Sequence, residues 1–131
     1  MAMVGAIFLV AAQTLVVTTL AQGTDSGIAE PRLVVVRTAA EWQSVWSAHG
    51  RGPLPAVDFT QSMVVGVFAG ARATAGFRVT IESVIVEDEV VRVRHREERP
   101  NPDDPVAQIL TAPFHLVTIP TSDRRVVFES R

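Results

Sequence analysis

The clearest hydrophobic pattern in the chain is the apolar run at residues 62–70, which is rich in valine and ends in a glycine. An unbroken apolar run of this length is typical of a strand that is buried on both faces. Residues 77–82 and 90–96 instead alternate apolar with polar side chains, which predicts two strands that each have one face in solvent. The pattern therefore predicts a sheet with residues 62–70 at its centre.

The hairpin that joins the two alternating strands also has a predicted register. A three-residue loop at residues 87–89 opposes Ile85 with Val91, whereas a two-residue loop opposes Ile85 with Arg92. Apolar side chains stabilise a sheet when they face each other across strands, so the three-residue loop is favoured. On this register four arginines share the outer face, which we expect to be solvated rather than to bind an acidic partner: Arg78, Arg92, Arg94 and Arg96.

The segment before the apolar run predicts one amphipathic helix. Thr38 and Glu41 have the spacing of a capping box, and Gly50 can adopt the left-handed conformation that ends a helix. Trp42 and Trp46 lie four residues apart, so they face the same side. Burial of each indole contributes about 2–3 kcal/mol. We therefore expect both tryptophans to pack on the sheet rather than to form an exposed binding platform.

Shorter apolar segments complete the predicted fold. Residues 33–37, 114–119 and 125–128 read as further strands. Asp58 precedes the central strand and is expected to accept hydrogen bonds in a turn rather than to act as a catalytic acid. The fold class is therefore α+β, with an antiparallel sheet of about five or six strands and one packed helix. A β-sandwich or a partly closed barrel that carries the helix is the alternative.

The first twenty-one residues predict a targeting segment. Residues 1–21 carry no charged side chain and end in Thr19-Leu20-Ala21, which fits a small-x-small cleavage site. An uncleaved membrane anchor is the alternative, because the apolar run is nearly long enough to span a bilayer. Residues 22–31 then form a linker and residues 32–131 the domain. The expected location is extracytoplasmic, with membrane contact only through the N-terminal segment if it is uncleaved.

Composition narrows the chemistry further. The 131 residues contain no cysteine, lysine or tyrosine, which excludes disulfides, thiolate metal sites and lysine chemistry. The net charge of −2 gives no reason to expect nucleic acid as a partner. No histidine, serine and carboxylate lie close together in sequence as a triad would, although a triad does not require sequence proximity. We therefore predict no catalytic residue, no metal site and no cofactor.

The order of these features resembles the C-terminal domain of the protease complex subunit PrcB family from about residue 27 to the end. The resemblance rests on the tryptophan helix, a Pro-x-x-Asp-Phe segment, the valine strand, the loop that follows it and a Leu-Thr-x-Pro-Phe segment. Its structural positions in this sequence are Trp42, Trp46, Asp58, Phe59, Gly70 and Pro113. The loop at residues 70–77 is its most specific element.

The resemblance implies an extracytoplasmic, noncatalytic protein, because the founding member of the family is an accessory subunit that stabilises a secreted serine protease. It makes a secreted or envelope protease the expected partner, with four loop residues as candidate contacts: Arg72, Thr74, Gly76 and Phe77. Phe77 stands where the family usually has tyrosine, so any hydrogen bond from that hydroxyl is lost. A chagasin-like protease inhibitor is the alternative function, and a hydrolase has the least support because no activated nucleophile can be named.

Overall fold

The computed structural model describes residues 12–131, which form one helix and eight strands in three layers. The outer sheet has the strand order β1-β5-β6-β8, and the central sheet has the order β2-β7-β4-β3. One face of the central sheet packs on the outer sheet, and its other face packs on the helix. The elements are β1 Gln13–Thr14, β2 Thr18–Gly23, β3 Arg32–Val36, α1 Ala39–His49, β4 Ser62–Phe68, β5 Arg78–Glu87, β6 Val90–Glu98, β7 Phe114–Pro120 and β8 Arg125–Ser130.

Strand β4 lies in the interior of the central sheet, as its unbroken apolar run predicts. Met63 and Val65 belong to the core between the two sheets. Val64 and Phe68 point the other way, into the core beneath the helix. All four side chains are buried. Because successive side chains of a strand alternate between faces, a strand covered on both sides must be apolar at every position.

Helix α1 has the caps that its sequence predicts. The Glu41 amide donates to Thr38 Oγ1 over 3.2 Å, and Thr38 Oγ1 in turn donates to Glu41 Oε1 over 3.0 Å. Gly50 ends the helix at φ 71°, and its amide donates to the Trp46 carbonyl. Thr38 thus satisfies an amide that the first turn leaves free, and Gly50 closes the last turn.

Both tryptophans are buried against the central sheet. Trp42 is 2% exposed and Trp46 is 8% exposed. Each indole also donates a hydrogen bond to the loop after the helix, Trp42 Nε1 to the Pro55 carbonyl and Trp46 Nε1 to the Gly52 carbonyl. The indoles therefore hold the loop as well as the helix, and an exposed tryptophan platform does not exist.

The α+β class and the single helix are confirmed, but the strands divide between two sheets instead of forming one. The arrangement is the sandwich alternative with its helix on the outside, and it is not a closed barrel. Strand β8 also runs parallel to β6, whereas an antiparallel sheet was expected. Hydrophobic periodicity identifies a strand and its buried face, but it does not say which neighbour the strand pairs with.

The predicted register of the β5–β6 hairpin is wrong between the turn and the bulge of β5, although beyond the bulge Thr80 pairs with Arg96 as that register requires. Asp88 and Glu89 have φ of 50° and 65°, so they form a two-residue turn, and Ile85 pairs with Arg92. Two successive residues with positive φ match the twist of the flanking strands, which favours this turn. A bulge between Ile81 and Ser83 then shifts the parity of β5. The buried face of β5 therefore changes from odd to even residues along the strand.

The segment expected to be a linker is packed into the fold. Ser26 and Ile28 are buried, and the Gly27 amide donates to the His49 carbonyl at the end of the helix. Upstream of it, β2 pairs antiparallel with β7. Residues 22–31 are thus structural, because their backbone and side chains meet partners on both the helix and the central sheet.

The targeting segment falls only partly within the described residues. Residues 1–11 lie outside them, whereas residues 13–21 contribute β1 and most of β2. Cleavage after Ala21 and the alternative of an anchor both stay predictions. Among residues 12–131, no helix is both long enough and apolar enough to cross a bilayer.

Turn residues at the ends of β4 hold the chain in place. Asp58 Oδ1 accepts from the Thr60 amide over 3.0 Å and from Thr60 Oγ1 over 2.6 Å, and these bonds lower the pKa of the Asp58 carboxyl. Phe59 packs partly buried against the core under the helix.

At the other end of β4, Gly70 has φ +83°, and a Cβ there would lie 2.8 Å from Pro31. The Pro113 carbonyl accepts from the Ala69 amide.

Candidate functional site

Three loops meet at one end of the sandwich, which we call the loop end: residues 24–31, 69–77 and 99–113. A parallel bridge joins Asp25 to Ala112, and an antiparallel bridge joins Arg72 to Thr111. The Arg72 amide and the Thr111 carbonyl are 2.7 Å apart, and the reverse pair is 2.9 Å apart. Backbone hydrogen bonds between loops remove much of their freedom, so the loop end is a fixed surface.

Arg72, a predicted contact residue, is turned toward its own chain. Its guanidinium donates to both oxygens of Glu97, with Nη2 at 2.6 Å and Nε at 3.2 Å. The guanidinium carbon also lies 5.8 Å from the centre of the Phe77 ring. A two-point arginine–carboxylate pair of this kind fixes orientation as well as charge. Arg72 and Phe77 thus meet, but they join the loop to β6.

Thr74 and Gly76, the other two predicted contact residues, join the 69–77 loop to the 99–113 loop. The Thr74 carbonyl accepts from Thr111 Oγ1 over 2.9 Å. Gly76 has φ +97°, and a Cβ there would lie 2.7 Å from Pro100. Only glycine fits this conformation and this close approach. A partner contact by any of the four residues stays a prediction.

The most exposed apolar side chains of the loop end belong to Ile109, which sequence reasoning passed over, and to Leu110, which it used only as the first residue of the Leu-Thr-x-Pro-Phe segment. Ile109 is 58% exposed and Leu110 is 80% exposed. Both line a depression of about 370 Å³ together with the exposed Ala71, Asp25 and Arg51. Exposed single apolar residues are ordinary, but an adjacent pair beside a depression is a feature of binding surfaces. The available signal was an apolar pair outside any alternating or helical pattern.

A second and larger cleft lies next to the 69–77 loop and shares no lining residue with the first depression. It has a volume of about 460 Å³ and opens between the start of β3 and the ends of β6 and β8. Leu33, which is 52% exposed, is its most exposed large apolar lining residue. The lining residues used below are Arg32, Leu33, Phe68, Arg72, Val79, His95, Glu97 and Arg99.

A serine and a histidine far apart in sequence meet beside the first depression. Ser26 Oγ lies 2.8 Å from His49 Nδ1, and it also accepts from the Ile28 amide over 3.1 Å. Burial lowers the pKa of His49, opposed by the charge of Asp25 and reinforced by that of Arg51. No sequence pattern indicates this pair, because 23 residues separate its members.

The Ser26–His49 pair lacks the surroundings of a nucleophile and its base. His49 is 1% exposed, and its ring lies between Trp46 and Phe114 at centroid distances of 4.7 and 4.3 Å. A nucleophilic serine needs an accessible oxygen and a base that a third group orients. The Ser26 oxygen is buried and already shared between two partners. The pair therefore joins the 24–31 loop to the end of the helix.

His115 of β7 links its own strand to β2 and to β5. Its Nδ1 accepts from the Ile81 amide over 2.8 Å, so its Nε2 carries the hydrogen and donates to Thr19 Oγ1 over 2.9 Å. Ile81 is the residue at which the β5 bulge begins, so the imidazole satisfies an amide at the break in the ladder. Burial, as the larger cause, and the charge of Arg78, as the smaller cause, lower the pKa of His115 to about 4.

In residues 12–131, no group of three or more histidine, aspartate or glutamate side chains is placed to hold a metal ion.

The fold and the loop end together define a small β-sandwich domain with one helix and a fixed loop surface.

Comparison with known families identifies the segment that carries this surface. Residues 63–120 match the family model described as PrcB C-terminal. The matched segment runs from β4 to the end of β7 and includes the 69–77 loop, Ile109 and Leu110. The resemblance to this family is therefore confirmed over these residues. No curated protein and no solved structure matches the chain.

Proposed function

We propose that this protein is an exported, noncatalytic accessory module that binds an extracytoplasmic protease through its loop end. The match of residues 63–120 to the PrcB C-terminal family supports association with a protease complex. The observation that carries the proposal is the exposed pair Ile109 and Leu110. This pair lies in the matched segment and on the loop that is bonded to residues 69–77.

The loop end has the physical properties that a docking surface needs. Burying a leucine or isoleucine side chain contributes about 1.5–3 kcal/mol, so the pair can supply the apolar centre of an interface. The bridge between Arg72 and Thr111 holds the pair in place before binding. Because a fixed loop has little entropy left to lose, more of the contact energy is available for affinity.

A docking role fits the loop end better than a chagasin-like inhibitor does. A protease inhibitor of that kind inserts a projecting loop into an active site. Here Thr74 and Gly76 are bonded to, or packed on, the 99–113 loop, so the 69–77 loop does not project. The buried Ser26–His49 pair likewise gives a hydrolase no accessible nucleophile.

Copurification from an envelope fraction tests the proposal. The tagged full chain is compared with Leu110→Asp, and captured proteins are identified by mass spectrometry. We expect a protease among them, and we expect its recovery to fall about tenfold or more with Leu110→Asp, because a carboxylate in an apolar interface remains unpaired.

Leu54→Asp is the matched control, because Leu54 is also an exposed leucine, at 43%, and it does not line either depression of the loop end. This variant should capture the protease as the unchanged chain does. Equal melting temperatures for the two variants exclude unfolding as the cause. Equal recovery with Leu110→Asp, or capture of no protease at all, contradicts the proposal.

A further inference from the structure

The cleft of about 460 Å³ beside the 69–77 loop is large enough for a small ligand. Leu33, at 52% exposed, gives the cleft its accessible apolar side chain, next to side chains that carry charge, whereas Phe68 and Val79 line it but are 1% and 2% exposed. Concave sites with an apolar wall and a few converging polar groups are the usual form of ligand sites. The arrangement suits a ligand with one apolar and one charged part.

The charged side chains at the cleft favour an anion. Arg72 and Glu97 neutralise each other in their two-point ion pair. Arg99 approaches Glu97 only to 3.7 Å and is 77% exposed, and Arg32 forms no ion pair with any of residues 12–131. Two guanidinium groups are thus available at the rim. Guanidinium is the side chain that best matches the planar geometry of a carboxylate.

We propose that this cleft binds the C-terminal carboxylate of a peptide whose last side chain is apolar. Arg32 and Arg99 contact the carboxylate, and the last side chain packs on Leu33. His95 lines the same cleft with its ring packed on Phe128, and its imidazole can donate a further hydrogen bond. Charge complementarity at the rim and apolar surface below it together select this class of ligand.

The choice of a peptide rests on the proposed function, because cleavage by a protease creates new C-termini. The cleft and the depression beside Ile109–Leu110 share no lining residue. A protease docked on the exposed pair would therefore leave the lining of the cleft free for a cleaved chain. The carboxylate distinguishes a cleaved end from an interior segment of the same sequence.

Isothermal titration calorimetry of the full chain tests this inference with two probes. One is N-acetyl-Ala-Ala-Phe with a free carboxylate, and the other is the same peptide with a C-terminal amide. We expect the acid to bind about tenfold tighter or more, because only the acid forms charge-assisted hydrogen bonds with the arginines. The double variant Arg32→Gln, Arg99→Gln should lose this preference for the acid.

Arg125→Gln is the matched control, because Arg125 is an exposed arginine at the start of β8 that does not line the cleft. This variant should bind the acid as the unchanged chain does. The inference is overturned if the acid and the amide bind equally, if neither binds, or if the double variant keeps the preference. Leu110→Asp should bind the peptide normally, so loss of the peptide site and loss of protease capture are separate results.

Discussion

The two long sides of the sandwich are built differently. On one side the chain passes from β1 in the outer sheet to β2 in the central sheet, with the Leu15 amide donating to the Val84 carbonyl. Leu15 and Val17 pack against the core there, and His115 joins β2, β7 and β5. On the other side β3 and β8 are the last strands of their sheets, and the cleft opens at their loop end.

The difference shows how one small fold separates stability from recognition. On the side of β1 and β2, which we call the closed side, the imidazole of His115 is buried and neutral, and it satisfies a backbone amide and a hydroxyl. On the side of β3 and β8, which we call the open side, the guanidinium groups of Arg32 and Arg99 are exposed and stay hydrated. We therefore expect substitutions on the closed side to change the free energy of unfolding, and substitutions on the open side to change binding.

The largest expected effect is from His115→Ala. It leaves the Ile81 amide without its acceptor, frees the Thr19 hydroxyl and opens a cavity, which together cost about 3 kcal/mol of the free energy of unfolding. Urea denaturation of the full chain measures this cost. His95→Ala is the control on the open side and should cost about 1 kcal/mol or less. Equal costs for the two histidines would remove the contrast between the sides.

The second largest expected effect is a fall in the free energy of unfolding in acid, caused by protonation on the closed side. Because His115 has a pKa of about 4 when folded and 6.5 when unfolded, the folded chain binds fewer protons between these values. The contribution is complete above pH 6.5 and is lost as the pH falls toward 4, by about 3 kcal/mol in total. Urea midpoints over this range measure it. Burial also lowers the pKa of His49 and His95, which act in the same direction.

His115→Asn separates the contribution of His115 from that of the other histidines. Asparagine does not titrate, so the variant should lose less stability on acidification than the unchanged chain. An unchanged pH dependence in this variant would show that the imidazole is not the group responsible.

Thr19→Val should destabilise the closed side by less than His115→Ala does. The substitution keeps the shape of the side chain and removes the oxygen that accepts from His115, at a cost of about 1 kcal/mol. Thermal unfolding measures the change. Thr18→Val is the control, because Thr18 is exposed in β2, as Thr19 is, but its side chain forms no hydrogen bond with any of residues 12–131, so the change should be nearly neutral. A destabilisation no larger than that of Thr18→Val would mean that the Thr19–His115 bond does not stabilise β2.

The smallest expected effect is from Glu97→Gln on the open side. It breaks a partly exposed ion pair with Arg72, which is worth about 0.5–1 kcal/mol. Raising the salt concentration should reduce this difference, because salt screens the ion pair in the unchanged chain. A loss above about 2 kcal/mol in urea denaturation would place the open side among the determinants of stability.

Much of the fold could be predicted because the deciding interactions are local in sequence. The Thr38–Glu41 cap, the spacing of Trp42 and Trp46 and the unbroken apolar run of β4 each fix a conformation within a few residues. The structure has all three.

The remainder could not be predicted, because it depends on contacts between distant residues. The division into two sheets and the parallel β8 are choices of strand partner, which periodicity does not determine. The bulge at Glu82 depends on the acceptor that His115 offers to the Ile81 amide. Strand β2 was hidden because its residues also fit the end of a targeting segment.

The sequence placed the candidate contacts in the loop at residues 70–77, and whether that loop binds a partner stays a prediction. Gly70 was expected to be a structural position, and Arg72, Thr74, Gly76 and Phe77 were expected to contact a partner, but these four contact their own chain. The apolar pair on the neighbouring loop carries the proposed contact instead. Which side chains remain exposed after a loop folds depends on tertiary packing, which a sequence pattern does not contain.

Hydrogen–deuterium exchange of the full chain, resolved to single amides, tests the contrast between the two sides most directly. The account predicts slow exchange, at the rate of the β4 core, for the Ile81 amide and for the amides of β2 that bond to β7. It predicts faster exchange for the β3 amides that bond to β4, because residues 15–17 join β1 to β2 across the two sheets and no such short segment joins β3 to β8. Exchange of the Ile81 amide and of the β7-bonded amides of β2 as fast as that of the β4-bonded amides of β3 would contradict the account.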